Sequence, residues 1–427
     1  MTAEIAVMNR VAIALAADSA ATAVFAGNVP KIYNTADKLF ALDEREPIGA
    51  MIYGGASFMR VPWETLIKLF RSTNSGSRET VADYGQAFLD FLITEPLLTD
   101  DFIDDYFRST VNWMADQFME VARAESSEKS LDLADSIRGL LRSLYQNWMA
   151  RPFLGNMNDG TINELRARYH GFLEKFVEFQ FLDLPSIGST ERDQLKELAL
   201  LFMVKDLKHT SSGIVVAGFG TNELFPTLIS YDIEGMVYPR HLRCRSVHNT
   251  TGTSIETGAN IIPFAQAEMV HSFMTGIDPD LENKISRIFR ELLERLTKHM
   301  ASRLPPTLSP DEISSFSNEI LQIAKLLNDE FAQELETHSR EKYVDPILDA
   351  VELLPKDQLA VMAETLVALT SFKKRTSRDS ETVGGAIDVA VISKGDGFVW
   401  IKRKHYFESA LNPRYMERVR SRYQKRS

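Results

Sequence analysis

Two kinds of hydrophobic pattern alternate along the chain, and their order constrains the fold more than any other feature. Short β-compatible runs fill the first ~57 residues and return near 212–233, 251–264 and 386–403. Apolar residues at helical spacing occupy 58–210 and 263–374 instead. Strands interrupted by helical stretches predict one β core of the α+β class with helical insertions, rather than a string of separate domains.

The strand patterns group into pairs. TAEIAV and VAIALAA flank a plausible turn at Met8-Asn9-Arg10, and LFAL and IGAMIYGG flank the polar turn DEREP. SGIVVAGFG and LFPTLISYDIEG predict a third hairpin, and AIDVAVIS and GFVWIKR, joined by KGDG, predict the last one. We therefore expect residues 1–57, 211–275 and 350–427 to form the core, with helical insertions at 58–210 and 276–349.

Composition excludes several classes of function. The chain has 427 residues and a net charge of −11, which argues against general nucleic-acid binding, although basic residues cluster near its end. The single cysteine, Cys244, allows no internal disulfide and indicates a reducing, cytoplasmic compartment. The sequence contains no run of 18 apolar residues, so it predicts no membrane span. The scattered histidines and the missing nucleotide and zinc motifs predict neither a cofactor nor a metal.

The opening stretch MTAEIAVMNRVAIALAADSAAT has three interpretations: an export signal, a buried hairpin, or a processed chain whose new first residue, Thr2, acts as a nucleophile. Export is disfavoured because Glu4 lies where a leader should be basic, and Asp18 interrupts the apolar run.

The first 60 residues resemble proteasome β-type subunits and their bacterial relatives, which are N-terminal nucleophile hydrolases. Thr2 follows a removable Met1, and Asp18 lies sixteen residues after Thr2, as the acid of that family follows its nucleophile. Lys38 directly precedes LFAL, as the family lysine precedes its third strand, and GAMIYGGAS resembles the strand that ends in the oxyanion-hole glycine, here Gly54. The family fold implied is a four-layer αββα sandwich, here with two large helical insertions.

The resemblance returns near the end of the chain. SRDSETVGGAIDVAVISKGDGFVWI is similar to the family's Arg-Asp segment, glycine pair and final hairpin, which makes Asp379 the matching acid. Thr382 or Ser380 would replace the family serine, with a spacing one residue longer. ETGAN, which contains Thr257, lies roughly where the family has a small-residue turn beside the active site.

These residues imply a specific chemistry. The α-amine of a processed Thr2 titrates near pH 7.7–8.0 and can accept the proton of its own hydroxyl. Lys38 would stabilise the alkoxide-like state, and Asp18 would hold the Lys38 ammonium. The Gly54 N–H would bind the oxyanion, and Asp379 would help to orient the α-amine.

Some alternatives stay open at this point. Lys31, in GNVPKI, is a second candidate for the family lysine, although counting back from Gly54 favours Lys38. The implied function is a threonine peptidase acting on a peptide or amide, with an acylase or small-amide hydrolase and a non-catalytic scaffold subunit as alternatives. The implied substrate pocket would be lined by Ala21, Thr22, Ile52 and Ala56. The family forms rings, so a homo-oligomer is expected.

Overall fold

The structure is a computed structural model that describes residues 3–24, 30–74, 76–208, 212–250, 258–302, 310–377 and 383–424. It divides into two compact units. The terminal unit consists of Met1–Leu39 and Gly252–Ser427, and the central unit consists of Phe40–Thr251.

Strands occur in both units. In chain order they are β1 (Ala3–Asn9), β2 (Ala12–Ala17), β3 (Ala21–Val24), β4 (Pro30–Tyr33), β5 (Leu39–Ala41), β6 (Ile48–Gly54), β7 (Ser57–Phe58), β8 (Val61–Pro62), β9 (Ser212–Gly218), β10 (Thr227–Val237), β11 (His241–Thr250), β12 (Ala259–Ala265), β13 (Asp388–Ser393) and β14 (Gly397–Lys402).

Helices form the larger part of the chain. They are α1 (Trp63–Thr73), α2 (Val81–Thr94), α3 (Asp100–Lys129), α4 (Leu133–Met149), α5 (Asp159–Gln180), α6 (Ser189–Val204), α7 (Glu268–Thr275), α8 (Pro279–Ser302), α9 (Pro310–Ser339), α10 (Asp345–Glu352), α11 (Lys356–Thr376) and α12 (Pro413–Gln424). A π-helical turn, Arg340–Val344, joins α9 to α10.

The terminal unit is built on an antiparallel sheet of strand order β12-β1-β2-β13-β14. The predicted β1–β2 hairpin is confirmed, and Asn9 forms its turn. The Asn9 Oδ1 atom accepts the backbone N–H of Val11 at 3.0 Å, while its Nδ2 donates to the Leu354 carbonyl at 2.9 Å. A short polar side chain suits such a turn because it can replace backbone hydrogen bonds.

Helix α11 packs across β1, β2 and β13. The residues Ala3, Ile5 and Val7 alternate along β1 and belong to this core, together with residues of α11 such as Val367. On β2 the contributing residues are all alanines, Ala12, Ala14 and Ala16. Because these side chains are small, the helix can approach the sheet closely. The period of two places Glu4 on the other face of β1.

The central unit has its own antiparallel sheet, of strand order β11-β10-β9-β6-β5. Helices α1 and α2 cover one face through an aromatic cluster in which Phe70 and Phe88 meet edge to face, with ring centroids 5.2 Å apart. A second core joins α3, α4, α5 and α6, where Phe107 stacks on Tyr169 at 3.8 Å.

The structure confirms an α+β protein with antiparallel sheets. The helical patterns recognised at 81–93, 101–123, 162–181 and 191–207 coincide with α2, α3, α5 and α6, although the last pattern runs three residues past the end of α6 at Val204. The hairpins β5–β6, β9–β10 and β13–β14 also form where the sequence predicts them, whereas β11 was not predicted.

Candidate active site

Asp18 is fixed immediately after β2 by the N-terminal end of β1. Its backbone N–H donates to the carbonyl of Ala3 at 3.1 Å, and the N–H of Ala3 donates back to the Asp18 Oδ1 at 3.1 Å. The β1–β2 register, which pairs Glu4 with Ala17, brings these two residues opposite one another. The sheet itself therefore positions the carboxylate beside the first described residue of the chain.

Lys38 reaches the same carboxylate from the segment before β5. Its Nζ atom donates to Asp18 Oδ1, and the residue is only 4% exposed. The Lys38 segment is held in place by a hydrogen bond from the N–H of Ala36 to the carbonyl of Ser19, at 3.1 Å. The structure thus forms the Asp18–Lys38 contact that the sequence predicts, while the catalytic roles of both residues stay a prediction.

The second carboxylate oxygen of Asp18 is also used. Oδ2 accepts the N–H of Gly384 at 2.9 Å and that of Ala20 at 3.3 Å. With Ala3 and Lys38 on Oδ1, four donors occupy the roughly four acceptor positions of a carboxylate. A carboxylate saturated in this way is held in one position and can orient the groups that donate to it.

The glycine pair of the C-terminal segment lies against this site. The N–H of Ser19 donates to the carbonyl of Gly384 at 3.2 Å. Gly385 has φ +81°, and a Cβ there would lie 2.9 Å from the Cβ of Asn34 and 3.2 Å from that of Ser19. Glycine is needed because the backbone is left-handed and its neighbours leave no space for a side chain.

Glu4 is a second carboxylate at the Lys38 ammonium. Its Oε1 lies 3.3 Å from Lys38 Nζ, and its side chain is completely buried. We call Glu4, Asp18 and Lys38 the Lys38 cluster. Two carboxylates and one ammonium give it a net formal charge of −1 in a buried location.

A second ion pair borders the Lys38 cluster. Glu4, Ala17 and Asp388 are register partners across β1, β2 and β13, so their side chains share one face of the sheet. The Asp388 carboxylate accepts a hydrogen bond from the Nζ atom of Lys404. The same Nζ atom lies 3.0 Å from the Asp37 carboxylate. This end of the sheet therefore carries alternating acidic and basic groups.

The other predicted site residues are distributed differently. Thr2 and Asp379 lie outside the described residues, as do Thr257, Ser380 and Thr382. Gly54 belongs to the central unit, where it ends β6 in an exposed, left-handed conformation with φ +76°. Lys31 lies exposed on β4, with its Nζ 5.1 Å from the centre of the Tyr33 ring.

The four predicted pocket residues also have different environments. Ala21 is half-buried on β3, and Thr22 follows it on that strand. Ile52 is 5% exposed and packs in the aromatic core of the central unit, so its side chain serves the core. Ala56 is exposed after β6.

Cys244 is a poor nucleophile. Burial raises the pKa of its thiol to about 12, and the negative charges of Asp232 and Glu234 act in the same direction.

Among the histidines, burial lowers the pKa of His248 on β11. Within the described ranges, no group of three or more His, Cys, Asp or Glu side chains could hold a metal ion. No described helix combines the length and apolarity needed to cross a bilayer.

Sequence reasoning missed two buried charged residues, one in each unit. Glu4 was treated only as evidence against a leader, although it is the one charged residue in an otherwise apolar strand pattern, AEIAVMN. It also missed the buried Arg243, which donates to Glu234 on β10 at 3.1 Å and to the carbonyl of Phe202 at the end of α6 at 3.0 Å. This second network ties β10 and β11 to the helical part of the central unit.

A comparison with protein-family models gives no match, and a comparison with curated proteins gives none either.

Proposed function

We propose that the chain is a threonine-dependent amidohydrolase, a peptidase that uses the processed N-terminal Thr2 as its nucleophile. One observation carries the proposal: a single buried carboxylate, that of Asp18, accepts both the Lys38 ammonium and the N–H of Ala3. That N–H belongs to the peptide bond formed with the carbonyl of Thr2. Covalent geometry limits the Cα–Cα distance between Thr2 and Ala3 to about 3.8 Å, so the nucleophile would belong to the immediate neighbourhood of the lysine.

The reaction would proceed in two steps. The Thr2 hydroxyl oxygen attacks the scissile carbonyl, its proton passes to the Thr2 α-amine, and the C–N bond breaks as that proton moves to the leaving amine. Water then attacks the resulting ester, the α-amine again accepts a proton, and Thr2 is regenerated as the acid is released. The α-amine must be neutral to start this cycle, and a neighbouring Lys38 ammonium favours its neutral form.

The remaining predicted residues fit supporting roles. Asp18 would keep Lys38 oriented, because its four hydrogen bonds fix the position of the carboxylate. In this proposal Asp379 orients the α-amine, and Ala21 and Thr22 border the substrate. The substrate is a peptide or a simpler amide.

The proposed fold is the four-layer αββα sandwich. It is supported by the architecture of each unit taken separately, since each has an antiparallel five-stranded sheet with helices on one face. Core residues on the other face of the terminal sheet, such as Ile13 and Leu15, are fully buried. A sheet with two buried faces suits an inner layer of such a sandwich.

The test begins with the mass of the intact protein and its N-terminal sequence. We expect loss of Met1 and, after treatment with an epoxyketone or β-lactone, one adduct on Thr2. Thr2→Ala and Lys38→Ala should abolish the adduct, whereas Lys31→Ala should keep it. A retained Met1, or a processed protein that forms no adduct, would instead identify a non-catalytic subunit. Comparing a peptide library with small acyl amides then distinguishes a peptidase from an acylase.

A further inference from the structure

The helices α8 and α9 of the terminal unit form an antiparallel hairpin. Phe289 on α8 stacks on Phe331 on α9, with ring centroids 4.3 Å apart. A parallel arrangement with this contact would place Ser302 and Pro310 about 50 Å apart at 1.5 Å per residue. The eight residue steps between them span at most about 29 Å. The helices must therefore run in opposite directions.

Each helix of this hairpin carries a stripe of large apolar side chains, each between 39% and 53% exposed. The residues are Leu281, Ile288, Leu292, Leu296 and Met300 on α8, and Phe316, Ile323 and Leu327 on α9. At about 100° per residue, the α8 stripe covers a sector of about 120° and the α9 stripe one of about 40°. Contiguous exposed apolar surface of this kind commonly marks an interaction site.

The two stripes lie on the same side of the hairpin. Each helix turns its less exposed side chains towards the other helix. These side chains include Phe289 and Thr297 on α8, and Ile320 and Phe331 on α9. On each helix the centre of the apolar stripe lies about 70–80° around the helix axis from the face turned to the other helix. The direction of this rotation, viewed from the N-terminus, is the same for both helices. In an antiparallel pair, equal rotations bring both stripes to one side. We call this surface the hairpin face.

The two outer margins of the hairpin face carry opposite charges. The margin on α8 is mainly basic, with Lys284, Arg287, Arg295 and Lys298 exposed beside two acidic residues, Asp280 and Glu291. The margin on α9 is acidic, with Glu319 and Glu330 exposed. An apolar stripe between a basic and an acidic margin is complementary to a copy of itself in one orientation.

We propose that the hairpin face is the interface of a homodimer in which α8 of one copy packs against α9 of the other. A two-fold axis parallel to the helices produces this arrangement, and both basic margins then meet acidic margins. An axis across the helices would instead pair α8 with α8 and place like charges together. The favoured arrangement is a four-helix bundle in which neighbouring helices are antiparallel.

The first test is the oligomeric state of the full-length protein, measured by sedimentation velocity and light scattering over a range of concentrations. We expect a dimer, and we expect the double variant Leu292→Glu/Leu327→Glu to be a monomer with unchanged circular dichroism. Phe179→Glu is the matched control, because Phe179 is 75% exposed but lies on α5. A monomeric wild-type protein, or a dimer unaffected by the double variant, would overturn the proposal.

Charge reversal tests the orientation. Lys284→Glu/Arg295→Glu makes both margins acidic, and Glu319→Lys/Glu330→Lys makes both basic. Each variant alone should self-associate roughly tenfold or more weakly than the wild-type protein, whereas a mixture of the two should form heterodimers. Self-association of either variant as strong as that of the wild-type protein would exclude the proposed pairing. Sedimentation with phosphatidylserine vesicles that depends on Leu292 and Leu327, with no dimer in solution, would identify a membrane surface as the occupant instead.

Discussion

Glu4 and Lys38 form a buried ion pair: the Glu4 Oε1 lies 3.3 Å from the Lys38 Nζ, and neither side chain is more than 5% exposed. The same ammonium donates to Asp18. The two carboxylates nevertheless differ, because Asp18 also accepts three backbone N–H groups. This difference predicts that removal of the two negative charges changes the free energy of unfolding differently.

Asp18→Asn should lower the free energy of unfolding by about 2–4 kcal/mol, because an amide NH₂ would replace an oxygen that accepts two donors. Glu4→Gln should leave the free energy of unfolding unchanged or raise it by about 1 kcal/mol, because it removes the net charge of the Lys38 cluster. Urea denaturation of both variants beside the wild-type protein measures these changes. Equal losses would show that the two carboxylates are equivalent.

Lys38→Ala should destabilise the protein by about 3–5 kcal/mol, since it leaves two buried carboxylates without their ammonium. Lys31→Ala is the matched control and should change the free energy of unfolding by less than about 0.5 kcal/mol, because Lys31 is exposed. Calorimetry at pH 7 compares the two variants. A large effect of Lys31→Ala with none of Lys38→Ala would contradict the assignment of Lys38 as the site lysine.

The thiol of Cys244 should react slowly with Ellman's reagent at pH 8. A thiol pKa of about 12 leaves so little thiolate that labelling of the folded protein should be roughly a thousandfold slower than that of an ordinary cysteine. Labelling in 6–8 M urea, where the thiol regains its usual pKa, provides the control. Equal rates with and without urea would mean that the folded environment of Cys244 does not protect it.

Lowering the pH should destabilise the central unit because Asp104 becomes protonated. Burial alone would raise its pKa, but hydrogen bonds from Arg168, at 2.9 and 3.0 Å, and from Tyr169, at 2.7 Å, hold that pKa below its usual value. A lowered carboxyl pKa adds stability above the unfolded pKa, near 3.9, and this stability is lost as the pH falls through the folded pKa.

Asp104→Asn should therefore lower the free energy of unfolding by about 1–3 kcal/mol at pH 7, and its difference from the wild-type protein should shrink below about pH 4. Urea titrations at several pH values provide the measurement. Asp135→Asn is the surface control, since that carboxylate is exposed and pairs with Arg138 three residues later. A difference that stays constant down to pH 2 would disprove the linkage.

Local patterns were sufficient for much of the fold. The β1–β2 hairpin and helices such as α5 follow from hydrophobic period and turn residues. Strand β11 was not predicted because HLRCRSVHNT lacks a regular alternation of apolar and polar residues. Its charged side chains instead find partners distant in the sequence, since the Arg243 guanidinium donates to the carbonyl of Phe202 on α6.

The candidate site was only partly predictable for a related reason. The order of Thr2, Asp18 and Lys38 suggested which residues would meet, through their resemblance to a family. No local pattern shows that Glu4 and the N–H of Gly384 converge on the same point, because the Asp18–Gly384 hydrogen bond joins residues 366 positions apart. Strand alternation assigns Glu4 to a face of β1, but only the tertiary fold places an ammonium there.

The hydrogen bond from Gly384 to Asp18 also determines how late during synthesis this part of the fold can form. A ribosome that adds about 5–20 residues per second needs about 20–70 s to make the 366 residues between them. During that interval β2 lacks its neighbour β13, and the growing polypeptide exposes a strand edge of the kind that chaperones protect. Nascent chains that stop before Gly384 carry neither a closed sheet nor a complete set of donors to Asp18, so the catalytic centre proposed for this protein would be among the last parts to mature.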